Sequence, residues 1–305
     1  MKVTGTLTFN LQPLGPFKYV SKPCVLSFAP LEIPQAERKL VAWWKFDQSE
    51  GDKTSDSSGN KLVGTLVGNP QWQPTGGKTG GALAFDGVDD YIECGPDDGL
   101  NISGGLTIAA WVKLAKSTTD QKIASNQDNI TGGYKLSIFS GKAELEVRDS
   151  DNMLRNNRFV DGGTILQPGV WYHVAATYGQ GGSLKTYVNA KLDREQETLT
   201  ILAPSTGPLK IGCEPFNGGC LFNGLMDDLR IYNYPLSQAE ITALYSGETL
   251  PTMAQAEVPT TDQAQEPPMA QEQPRTSKKW IPPLIIVAVA VAAGALAIRK
   301  KKEPA

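Results

Sequence analysis

From Lys39 to Glu248 the chain is cut into short runs of alternating apolar and polar residues, and this punctuation limits its fold more than any other feature. LVAWWKF, GALAF, YIECG, LTIAAWVKL, YKLSIFS, KAELEVR, WYHVAATY, LKTYVN, LKIGC and GLMDDLRIY are each about 5 to 9 residues long, the span of an ordinary strand. Turn-forming residues separate them. A period of two sends successive side chains to opposite faces, so each run can bury one face and keep the other for water or a further layer. The succession predicts an all-β, two-sheet antiparallel sandwich over residues 39–248. One helix is expected after the last strand. Ser237 and Glu240 have capping-box spacing, Leu236, Ile241, Leu244 and Tyr245 form an apolar stripe, and Gly247 is placed to end it.

The flanks read differently. Residues 1–38 hold two strand-like runs, VTGTLTFNL and PCVLSFAPL, with no assignable fold. Gln12, Pro13, Gly15, Pro16 and Lys18 interrupt any secretory apolar region there, so an exported domain needs a signal upstream or another route. Residues 249–279, rich in Pro, Gln, Thr and Glu, are expected to form a disordered linker, because they bury too little apolar surface to offset their ordering entropy. Trp280 to Ile298 carries no charge and is about 28 Å long as a helix. It is read as a transmembrane helix, closed by the basic tail 299–305. Four cations in RKKK against Arg275, Lys278 and Lys279 favour an inside C-terminus. The expected localisation is a single-pass cell-membrane protein with the sandwich extracytoplasmic; the competing topology is a tail anchor with the domain in the cytosol.

Composition removes several chemistries. A net charge of -3 lacks the basic excess that follows a phosphate backbone, which argues against nucleic acid as a partner. The single histidine, His173, rules out multi-His metal sites and is expected to be packed in the core. Cys24, Cys94, Cys213 and Cys220 contain no CxxC spacing. In GCEPFNGGC the glycines let the loop turn back, so a Cys213–Cys220 disulfide is expected.

The stretches LVAWWKFDQSEGDKTSDSSGN, GGALAFDGVDDYIECG, LTIAAWVK, WYHVAATY, LKTYVNAKL and GLMDDLRIYNYPLSQAEITALY, in that order, resemble bacterial laminin-G-like (LamG) domains of the concanavalin A-like lectin/glucanase type. The resemblance covers about Leu40 to Gly247 and implies a jellyroll sandwich, often with a bound calcium, in proteins that recognise glycans or other extracellular polymers. Ala190 departs from it, standing where the family hairpin reads Asn-Gly, so a longer or differently turned hairpin is expected.

Calcium takes six to eight oxygens. Strict alternation in GLMDDLRIY groups Asp227 with Leu225, Leu229 and Ile231, and a carboxylate in such company needs a cation, a hydrogen-bond network or a raised pKa. Asp227 also matches the calcium-ligating aspartate of laminarinase-type relatives, and Asp47 and Asp56 are the other candidate ligands. Asp86, Asp89 and Asp90 fit turn positions, with Asp86 the alternative fourth ligand.

Function divides between classes. Glu144 and Glu146 share a strand face in ELEVRD, which partly resembles the acidic strand of laminarinase-type glycoside hydrolases. A purely structural spacer is another alternative. The preferred reading is a non-catalytic, membrane-anchored recognition or adhesion module for glycans or other extracellular polymers. Trp72, Tyr134, Tyr178, Phe216 and Tyr232 are its candidate ring contacts.

Overall fold

The computed structural model describes residues 38–250 apart from 96–97, 118–119, 129–131, 150–157 and 216. The expected linker beyond residue 250, the transmembrane segment Trp280–Ile298, the basic tail and residues 1–37 lie outside the described residues. Among the described residues no helix is long and apolar enough to cross a membrane.

The described strands are β1 (Leu40–Trp44), β2 (Lys53–Thr54), β3 (Gly64–Val67), β4 (Gln71–Gln73), β5 (Ala82–Asp86), β6 (Tyr91–Glu93), β7 (Gly105–Leu114) and β8 (Gln121–Ser125), then β9 (Gly133–Phe139), β10 (Lys142–Arg148), β11 (Phe159–Asp161), β12 (Trp171–Gly179), β13 (Ser183–Val188), β14 (Lys191–Glu197), β15 (Lys210–Ile211) and β16 (Asn223–Tyr232), followed by helix α1 (Gln238–Tyr245). They form the two antiparallel sheets of a jellyroll, as the sequence predicts. The first has the order β14-β13-β12-β7-β16-β5-β4, with β1 also on β16; the second runs β11-β10-β9-β8-β15-β6-β3-β2.

Alternation places Trp44, Ile108, Leu136, Leu145, Val174 and Ile231 between the sheets, where all are buried. The outer face of the first sheet is also apolar in part. Ala109 and Ala175 leave room there for Leu236, Ile241 and Leu244, which seat α1 against Tyr187 and Tyr232. The Ser237–Glu240 capping box is present, and Gly247 follows the helix with φ 80°.

Two local expectations are corrected. The β13–β14 hairpin is a two-residue turn, with Val188 opposite Lys191 and both Asn189 (φ 49°) and Ala190 (φ 64°) left-handed. Alanine is tolerated because the turn is tied down: Asn189 N donates to His173 O, His173 N donates to Asn189 Oδ1, and Gln238 Nε2 donates to Ala190 O. The other correction concerns β16. Its register against β7 shifts between Asp227 and Arg230, and Asp228 has φ 53°. This bulge breaks the alternation. Met226, Leu229 and Ile231 enter the core, while Asp227, paired with Trp111, stands on the outer face with Arg230.

The expected Cys213–Cys220 disulfide is not formed; both are free thiols. The loop does turn back, with Glu214 N donating to Gly219 O at 2.9 Å. Cys213 is nevertheless buried, whereas Cys220, at φ 55°, directs its thiol to Asp120 Oδ2 at 3.3 Å.

Candidate functional site

One edge of β16 is shared by two strands. β5 pairs with Asn223–Met226 and β1 with Leu229–Tyr232, so the partner changes at the Asp227–Asp228 bulge. The segment leaving β1 and the Gly-rich loop entering β5 meet over this notch. Asp227 Oδ2 accepts hydrogen bonds from Lys78 N (2.8 Å) and Thr79 N (3.0 Å), and Asp47 Oδ1 accepts one from Gly81 N (2.8 Å). Gly80 has φ 73°, and a Cβ there would collide with Asp47 Oδ1, so the loop closes on the carboxylate because it lacks a side chain.

Asp227 is 1% exposed, and burial, opposed by the loop N–H groups and reinforced by Asp228 and Asp47, pushes its carboxyl up to about 7. Among the described residues neither Asp227 nor Asp47 forms an ion pair. Two converging carboxylates with oxygen donors and no cationic partner suit a hard cation. Asp47 and Asp227 would supply two of the six to eight oxygens that calcium takes.

The structure does not bring Asp56 or Asp86 to this notch. Asp56 accepts from Trp43 N, Ser58 N, Ser58 Oγ and Leu62 N at 2.7–3.2 Å, so both oxygens are spent fastening its turn. Asp86 lies at the far end of β5 from Gly81, where Oδ1 accepts from Val88 N and Asp89 N; the Val88 bond holds its pKa below the usual value. Ligand oxygens of Asp86, Asp89 and Asp90 lie within 4.8 Å of one another, but Asp90 is buried and its oxygens accept from Asn69 N and Asp86 N. Asp86 and Asp90 fasten the turn through these bonds.

The notch opens into a cleft of 410 Å³ lined by Trp43, Lys45, Lys78, Trp111, Arg230 and Tyr245 beside the aspartates. Arg230 donates from Nε to Asp228 Oδ1 at 3.1 Å, and Trp43 Nε1 donates to the same oxygen.

The outer face of the second sheet has a different character. Cross-strand pairing lines up Phe159, Glu146, Lys135, Ser125, Lys210 and Glu93 in one row, with Asp161, Glu144, Ser137 and Lys122 beside it. Glu146 Oε1 meets Arg148 Nε (2.9 Å) and Arg158 Nε (3.1 Å), and Oε2 meets Lys135 Nζ at 2.8 Å. Burial opposes its ionisation, but Lys135 and Arg148 overcome that and hold the carboxyl below its usual value. Burial raises Glu144 instead, with Lys135 offsetting part of the effect. Lys135 is raised because the two glutamates outweigh its burial.

Of the rings expected at a binding face, Tyr134, Tyr178 and Tyr232 are buried, Trp72 is partly buried with Nε1 donating to Gly51 O, and Phe216 lies outside the described residues. Exposed rings stand elsewhere: Phe139 (45%) and Phe159 (46%) on the outer face of the second sheet, and Tyr245 (40%) beside the cleft. Tyr91 shares the face of the first two but is half-buried, with Lys210 Nζ 4.6 Å from its ring centre. The pair Trp43-Trp44 held a usable signal, since alternation must turn one ring inward and the other outward.

Residues 86–242, just over half of the chain, match the family described as the concanavalin A-like lectin/glucanases superfamily. No curated protein matches the sequence. Among solved structures, the binding domain of Paraclostridial Mosquitocidal Protein 1 superposes with a TM-score of 0.57 at 17% identity, covering 70% of this chain and 53% of that one. Domain 4 of AbnA, a GH43 extracellular arabinanase from Geobacillus stearothermophilus solved with arabinotriose, gives 0.55 at 24% identity, covering 68% and 99%. The receptor binding domain of botulinum neurotoxin C/D mosaic serotype gives 0.52 at 16%, covering 70% and 52%. The chain spans about half the length of these two toxin domains. At such identities the likeness is one of fold.

Proposed function

The chain belongs to the concanavalin A-like lectin/glucanase superfamily, and from this premise we propose that it is a non-catalytic recognition module for glycans or other extracellular polymers, with a structural calcium held by Asp47 and Asp227. The binding surface in this reading is the outer face of the second sheet. Its row of charged side chains is fixed by mutual ion pairs, and Tyr91, Phe139 and Phe159 supply rings on that face. Rigid polar groups beside exposed rings suit a hydroxylated polymer.

The observation that carries the non-catalytic part is the state of Glu146. Oε1 is held by Arg148 and Arg158 and Oε2 by Lys135, so three cations draw on its charge and make it a weak nucleophile toward a sugar carbon. A retaining glycosidase needs such a nucleophile opposite its acid. Residues 280–298 serve in this proposal as a single-pass anchor with the sandwich outside the cell, a reading supported by their charge-free length.

A glycan array probed with the full chain, alongside Phe139→Ala and Phe159→Ala, tests the reading. Retained neutral glycans are expected to be lost or weakened about tenfold in both variants without any cleavage products, since ring stacking dominates such contacts. An empty array, or turnover of a retained glycan, overturns it.

A further inference from the structure

The cleft on the outer face of the first sheet has its own chemistry, beyond the binding surface proposed above. Two cations press on one indole: Lys45 Nζ and Arg230 Cζ each lie 4.3 Å from the ring centre of Trp43. Lys78 Nζ lies 4.8 Å from the ring centre of Trp111. Arg230 is neutralised by Asp228, with Nη2 3.0 Å from Oδ2. Among the described residues Lys45 and Lys78 have no carboxylate within ion-pair distance, although Asp47 and Asp227 line the same cleft. Each ammonium is thus held by a ring face and left with donors to spare.

Beside them Tyr245 stacks on Trp111 at 5.4 Å and 28° and remains 40% exposed. This flat ring is next to unspent positive charge, in a cleft that Ser246 and Thr249 also line. The volume of 410 Å³ falls within the ordinary range for small-molecule sites, about 300–1,000 Å³.

We propose that this cleft is a second saccharide site, which takes a carboxylate-bearing sugar of the uronic acid class. The sugar carboxylate bridges Lys45 and Lys78. Its pyranose face lies on Tyr245, and its hydroxyls meet the polar wall. A neutral sugar leaves both ammoniums without an anion, which sets the preference.

Tryptophan fluorescence reads the site directly, because Trp43 and Trp111 line it. Oligogalacturonate is titrated into the full chain in the presence of a calcium chelator, so that bridging by calcium cannot account for binding. The expected result is a saturable fluorescence change that weakens with salt, with at least about tenfold lower affinity in the Lys45→Gln/Lys78→Gln double variant. Lys185→Gln, on β13, is expected to bind like the parent, and circular dichroism confirms that the variants are folded. Loss of binding on chelation overturns the lysine assignment, as does equal affinity of the folded double variant. Equal affinity for a neutral galactose oligomer or for inorganic sulfate overturns the uronate assignment. Phe139→Ala is expected to leave this titration unchanged, which separates the site from the outer face of the second sheet.

Discussion

Lowering the pH from 7 to 5 should destabilise the domain through His173, and the size of the effect follows from where the ring sits. It is 2% exposed, with Trp111 at 5.3 Å and Tyr245 at 6.1 Å, and its Nδ1 has no hydrogen-bond partner among the described residues. Burial first, and the Arg230 charge second, lower its pKa to about 3. The folded ring therefore stays neutral while the unfolded one takes a proton below about 6.5. Stability fully present above that pH is lost as pH falls, by about 1.4 kcal/mol per unit, or about 2 kcal/mol at pH 5. Asp227 has the opposite slope in the metal-free chain, because its raised pKa lets the folded state gain a proton first. The parent curve alone is thus uninformative, and the difference from His173→Gln isolates the ring. Urea unfolding at pH 7 and pH 5 should show the variant gaining about 2 kcal/mol relative to the parent. The chain has one histidine, so its imidazole NMR signal also reports the pKa without assignment. Parallel pH dependence of parent and variant, or an imidazole titrating near 6.5, would refute the reasoning.

Two further outcomes follow from the turn and the notch. Ala190→Gly removes a left-handed alanine at a cost of about 1–2 kcal/mol while adding glycine entropy of about 0.5–1 kcal/mol; a net gain of about 0.5–1 kcal/mol is expected, visible as a melting temperature a few degrees higher, and an unchanged or lower melt contradicts it. Removing calcium with a chelator should lower the melting temperature, since a ligand at a hundred times its Kd stabilises by about 2.7 kcal/mol. Asp227→Asn should abolish that response, whereas Asp56→Asn should destabilise equally with and without calcium; a parent indifferent to calcium discards the site.

The sandwich was legible because its signals are local and repeated. Period-two runs, Gly-bounded turns and the Ser237–Glu240 box each act within a few residues, and the structure contains them all. Binding rings were less legible, because exposure depends on which sheet face another element covers. Tyr232 alternates outward correctly yet is buried, since α1 packs over that face. Cys213 and Cys220 show the same limit: glycines bring the strands of the loop together, but side-chain direction is set by Cys220's backbone and by Asp120 on a distant segment.

The misreading of Asp227 has a more instructive cause. Alternation holds only while a strand keeps one partner on each edge, and β16 exchanges β5 for β1 in mid-course. The bulge that accommodates the exchange uses a left-handed Asp228, a conformation aspartate tolerates better than most residues. Nothing in GLMDDLRIY demands it; the demand comes from segments well over a hundred positions earlier in the chain. Yet the bulge is what turns Asp227 out of the core, sets it under the Lys78–Thr79 loop and leaves Asp228 free to hold Arg230 and Trp43. A regular β16 would send one of the two aspartates between the sheets, where no partner waits, and would leave no notch for Asp47 to enter. The break in the pattern is therefore what assembles the site.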